Sequence, residues 1–195
     1  MTEAETKIKL HPHDWLLKYT ILLLIPYAIK PNHFTYLRLA LTPLVLYLVT
    51  ISNYYWALIA FVLVALTDAI DGSLARTRNQ ITELGKILDP VADKFLIAST
   101  VFVLMLKHIN VFISLAIIAM EAAFLLGWYI NKRKGREVRV NVWGKLKMDL
   151  QVIGVAILLL GLTINKPLMF RYSEGTLFFA IIFAGLSLFA AERTI

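Results

Sequence analysis

Asp68-Ala69-Ile70-Asp71-Gly72-Ser73-Leu74-Ala75-Arg76, followed by Gly85, Asp89 and Asp93, sets four carboxylates in or beside stretches otherwise apolar enough to cross a bilayer. A carboxylate near the bilayer centre costs at least about 2.5 kcal/mol, so a cluster calls for compensation, and bound cations are the simplest kind. Asp68 and Asp71 are spaced to share one helical face, as are Asp89 and Asp93. The connection between them carries Arg76, Arg78, Asn79, Gln80, Thr82, Glu83 and Gly85 and reads as a polar turn that brings the four acids together.

Outward from this stretch, the chain reads as an all-α integral membrane protein. Its residues are 59% hydrophobic, with long uncharged runs. At about 20 residues per crossing, six spans are expected, near 34–52, 54–75, 87–107, 111–130, 147–165 and 175–191. Residues 1–33 form an N-terminal cytoplasmic or interfacial segment and 34–191 a six-helix bundle, together one membrane domain over 1–195. Asp14 reads as the N-cap of an amphipathic helix reaching Ile29, with Pro26 near its end, that lies along the interface. The opening residues lack the pattern of a signal peptide. Pro43 is expected to kink or adjust the first span.

Lys and Arg set the orientation. With the N-terminus inside, the inner face receives most of them, including the run from Lys132 to Lys147, and the outer face only Lys107, Lys166 and Arg171. Both termini are then cytoplasmic, in a cell (plasma or inner) membrane. The net charge of +7 reflects basic loops near anionic lipid, and nucleic acid is not expected as a partner. Cysteine is absent, which removes thiolate metal sites, and the four histidines are scattered.

Oxygen-only ligands suit Mg²⁺ or Mn²⁺, and two such ions would neutralise four carboxylates. Gly72 and Ala75 keep the helix surface low, and Arg76 offers a phosphate a forked donor set. Metals, an arginine and small residues together indicate a diphosphate site. Helix-pairing polar contacts and cation transport are the competing readings, and Arg76 in the same pocket speaks against transport.

The string from Asp68 to Asp93 resembles the signature of the CDP-alcohol phosphotransferase family, with every fixed position filled. The resemblance implies a six-helix, usually dimeric membrane fold, with a cytoplasmic-side site that transfers a phosphatidyl or similar group from a CDP-linked donor to an alcohol, releasing CMP. By position it makes Asp68, Asp71, Asp89 and Asp93 ligands of two metals, Asp93 also the catalytic base, and Gly72, Ala75, Arg76, Thr82 and Gly85 contacts of the CDP-lipid. Lys30-Pro31-Asn32-His33-Phe34-Thr35 resembles the family's Pro-Asn-x-x-Thr entry beside the CDP group; taken alone it reads as a capped helix start. Gly144-Lys145-Leu146-Lys147 with Gln151 resembles the phosphatidylglycerophosphate synthase branch, which implies CDP-diacylglycerol as donor and sn-glycerol 3-phosphate as acceptor, with inositol phosphate, serine or phosphatidylglycerol as the alternative acceptors within the family. Lys145, Lys147 and Arg139 are the acceptor-phosphate candidates. Met148 and Asp149 depart from that branch, as does Glu121 without neighbouring arginines; Glu121 either pairs with a basic or polar neighbour or lines the acceptor pocket.

Overall fold

The computed structural model describes residues 19–192 apart from 21, 79, 81, 106, 109 and 134–141. The described residues form six α-helices and contain no strand: α1 Pro31–Thr50, α2 Tyr54–Thr77, α3 Glu83–Met105, α4 Val111–Arg133, α5 Val142–Thr163 and α6 Pro167–Glu192. By length and composition α1, α2, α5 and the Pro167–Ser187 part of α6 could each cross a membrane. The aspartates in α3 break its apolar run, and the apolar part of α4 is shorter, Val111–Gly127.

Several helices extend beyond the apolar windows. α5 starts at Val142 and α6 at Pro167, because helical backbone continues through polar end turns that a hydropathy window excludes. Pro31 and Pro167 both open helices, where a missing N–H costs nothing. α1 also runs through Pro43 without interruption. Of the segment expected as an interfacial helix, 14–29, residues 14–18 and 21 lie outside the described residues, and 22–29 do not form an α-helix. Its described end shows a single 3-10 turn, Leu22–Leu24, just before Pro26, which has no N–H to continue a helix.

The antiparallel pair α5 and α6 is held at close range by two glycines seven residues apart. A Cβ on Gly154 would lie 2.8 Å from Leu177 Cδ2, and one on Gly161 would lie 2.7 Å from Met169 Cβ. Ser173 Oγ completes the contact by donating to the Gly154 carbonyl at 2.7 Å. Between the helices lies a core that includes Val45, Phe61, Val101, Ile117 and Leu158. At the end away from the aspartates, Tyr54 and His108 share a 2.8 Å hydrogen bond and Lys107 donates to the Thr50 carbonyl. Polar side chains gather at the other end, around the starts of α1 and α3 and the end of α2.

Candidate active site

Arg38 of α1 organises the acidic cluster. Its side chain is fully buried, with Nη1 donating to Asp68 Oδ1 at 3.0 Å, Nη2 to Asp71 Oδ2 at 2.7 Å and Nε to Thr67 Oγ1 at 3.3 Å. One turn earlier, Thr35 Oγ1 donates to Asp89 Oδ1 at 2.6 Å. A single face of α1 thus ties Asp68 and Asp71 of α2 to Asp89 of α3. Asp71 is buried while the Asp68 side chain stays 45% exposed. Asp93 is buried near Asp68, Arg38, Lys94 and Glu121 and within their fields. The sequence reading assigned no role to Arg38, although an arginine inside an apolar span with no acid on its own helix signals a partner elsewhere.

A second corner forms where the α2–α3 turn meets the start of α1. Thr82 Oγ1 donates to Asn32 Oδ1 at 2.9 Å and accepts from the Gly85 N–H at 3.0 Å. A Cβ at Gly85 would stand 3.0 Å from both of those side-chain oxygens, so glycine is what lets α1 and α3 approach. Lys30, Pro31, Gln80 and Thr82 line a cavity of about 230 Å³ beside this corner. Gln80 Oε1 is buried there without a partner among the described residues. Pro31 is buried, Lys30 and His33 are exposed, and His33 Nδ1 accepts from the Lys30 N–H, a local cap. The Arg76 guanidinium folds over Gly72, where a Cβ would lie 3.2 Å from Nη1; Ala75 is half-buried nearby.

The two lysines of α5 separate. Lys145 is exposed, whereas Lys147 is buried with its ammonium paired to Glu121 Oε1 and lying 4.5 Å from the centre of the Phe124 ring. Gln151 Nε2 donates to the same Glu121 oxygen at 2.9 Å. Of the two roles left open for Glu121, pairing with a basic neighbour is the one observed. Lys94, adjacent to Asp93 and unassigned by the sequence reading, lies within the fields of Glu121 and Lys147. Arg139 is outside the described residues.

The donor chemistry of the acidic cluster fits hard divalent cations: its side chains offer carboxylate oxygens and hydroxyls, and Arg38 offsets only part of the negative charge. Among the described residues no three acids already converge as a metal centre, because Arg38 spans Asp68 and Asp71 and Thr35 holds Asp89.

Known proteins resemble most of this sequence. A family model described as CDP-alcohol phosphatidyltransferase matches residues 28–189. A CDP-diacylglycerol–glycerol-3-phosphate 3-phosphatidyltransferase of Aquifex aeolicus is 33% identical over 136 residues, covering 66% of this chain and 75% of the relative. One of the same name from Bacillus subtilis is 28% identical over 174 residues, 80% of this chain and 90% of the relative. A CMP-forming cardiolipin synthase of Streptomyces coelicolor is 37% identical over 123 residues, 59% of this chain and 57% of the relative.

Proposed function

The chain belongs to the CDP-alcohol phosphatidyltransferase family, and from that premise we propose that it transfers the phosphatidyl group of CDP-diacylglycerol to sn-glycerol 3-phosphate and releases CMP. The observation that carries the reading is that one face of α1, through Arg38 and Thr35, holds Asp68 and Asp71 of α2 and Asp89 of α3, beside a corner built by Asn32, Thr82 and Gly85.

In this reading Asp68, Asp71, Asp89 and Asp93 hold two Mg²⁺ or Mn²⁺ ions. Bound there, the ions would neutralise the diphosphate and the charge that builds on departing CMP. Arg76 orients the diphosphate from its position over Gly72. Asp93 accepts the proton of the acceptor hydroxyl, whose oxygen bonds to the lipid-side phosphorus as the phosphoanhydride bond to CMP breaks. Lys30, Pro31 and Thr82 shape the nucleotide end, and the acyl chains stay in the bilayer. Lys145, and Lys147 once it exchanges Glu121 for substrate, receive the acceptor phosphate. All six helices span the membrane, the site and both termini face the cytoplasm, and two chains associate as a dimer.

One observation favours a second acceptor, phosphatidylglycerol. The Lys147 ammonium is already satisfied by Glu121, which leaves less free positive charge for a phosphate dianion.

The test is CMP release from labelled CDP-diacylglycerol against a panel of alcohols, with and without divalent metal, for the parent protein and Asp93→Asn. We expect release only with donor, metal and glycerol 3-phosphate together, and an inactive variant that still binds CDP-lipid. Full activity after chelation would overturn the metal assignment, and an active Asp93→Asn the base. Release with phosphatidylglycerol but not glycerol 3-phosphate would reassign the acceptor.

A further inference from the structure

Arg78, at the C-terminal end of α2, is not part of the acidic cluster, yet its guanidinium is among the most heavily used in the structure. Nη1 donates to the carbonyls of Pro26 at 3.1 Å and Ile29 at 3.4 Å, and Nη2 to those of Ile25 at 2.5 Å and Leu22 at 3.5 Å. The same group lies 5.2 Å from the centre of the Tyr27 ring. One side chain thus gathers four carbonyls from a segment whose described backbone is irregular apart from one 3-10 turn. Among its own backbone bonds are Ile25 N–H to Leu22 at 3.4 Å and Ile29 N–H to Pro26 at 3.0 Å. A planar fork with five donors suits this task; an ammonium cannot span those four acceptors.

The segment leads directly into Lys30 and Pro31, which among the described residues line the cavity together with Gln80 and Thr82. Arg78 stands two residues before Gln80 and four before Thr82, which line the same cavity. Its hydrogen bonds therefore tie the segment that runs into Lys30 and Pro31 to the end of α2, from which Gln80 and Thr82 follow. We propose that Arg78 is a positioning residue for the nucleotide half of the donor: it latches the 22–30 segment to the end of α2 and so sets the width of the cavity between Lys30–Pro31 and Gln80–Thr82. The inference rests on reading that corner as the nucleotide site.

The experiment measures kcat, the KM of each substrate and the competitive Ki of CMP for purified Arg78→Ala, Arg78→Lys and Asn32→Ala. For Arg78→Ala the latch predicts donor KM and CMP Ki raised roughly tenfold, equivalent to the loss of about 1.4 kcal/mol, with kcat and acceptor KM within about twofold of the parent. Arg78→Lys should recover only a small part of the loss. A merely structural role would lower the active fraction, and with it kcat, without moving either KM. An unchanged CMP Ki in Arg78→Ala, alongside a raised one in Asn32→Ala, overturns the latch alone. An unchanged Ki in Asn32→Ala overturns the nucleotide reading of the corner, and the latch with it. If Arg78→Ala does not accumulate folded, Arg78→Lys and Tyr27→Ala decide, since both weaken the latch while leaving the cavity lining intact; parent-like CMP Ki in both overturns the proposal.

Discussion

Removing the charge of Arg38 should destabilise the protein chiefly through Asp71, although the guanidinium also binds Asp68. Both arms have good geometry, at 2.7 Å to Asp71 and 3.0 Å to Asp68. Solvent separates them, because the Asp71 side chain is 4% exposed and that of Asp68 45%. Stranding one partner of a buried pair costs about 3–5 kcal/mol, while an exposed pair contributes about 1 kcal/mol or less. Arg38→Met should therefore lose about 3–5 kcal/mol, a large fraction of the 5–15 kcal/mol or so typical of a folded domain. Adding Asp71→Asn to it should restore part of the loss, because no buried carboxylate is then left without a counter-charge. A double-mutant cycle read by denaturant unfolding in micelles should give a coupling of about 2–3 kcal/mol for Arg38 with Asp71 and under about 1 kcal/mol for Arg38 with Asp68. Equal couplings, or a double variant less stable than Arg38→Met, would refute the argument from burial.

Gly85→Ala places a methyl 3.0 Å from Asn32 Oδ1 and Thr82 Oγ1; it should cost about 1–3 kcal/mol and raise donor KM, and a donor KM equal to the parent's would show that the corner is not used. Glu121→Leu leaves the buried Lys147 ammonium without its carboxylate and should lower stability by about 3–5 kcal/mol, most of it recovered by adding Lys147→Met; thermal unfolding of the three variants tests this. At the opposite end, burial and, second to it, the adjacent Lys107 push the His108 imidazole below its usual pKa. The native state thus favours the neutral ring, and the stability this contributes is complete above the unfolded-state value near 6.5 and declines as pH falls below it. Unfolding temperature followed from pH 7.5 to 5 should drop less in His108→Gln than in the parent, and an identical profile would remove His108 from the acid sensitivity.

Much of the acidic site was legible along the chain because its spacing is a property of single helices. Asp68 and Asp71 share a face of α2, and Asp89 and Asp93 a face of α3, whatever surrounds them. Arg38, Glu121 and Lys147 were legible only as anomalies, charges inside apolar runs. Their partners lie 30 and 33 positions away for Arg38 and 26 for Lys147, and local periodicity carries no information about contacts at that range. Arg78 was still less visible, since it reads as one more basic residue at an inner helix end and its acceptors are backbone carbonyls, which no residue type announces.

Apolar run length and the aspartate spacing by themselves determined a helical chain with membrane-length apolar segments and its acids at one end of the bundle, and the resemblance of the string from Asp68 to Asp93 pointed to the family. Both structural features follow from the cost of placing charge and unpaired backbone in hydrocarbon, a cost every residue meets locally. Tertiary structure alone decided which cation answers which carboxylate, that Lys147 is buried against Glu121 while Lys145 faces out, and that Arg78 gathers the carbonyls of Leu22, Ile25, Pro26 and Ile29. Those pairings depend on how helices pack and how far each side chain is removed from water, and both arise only when separate segments meet.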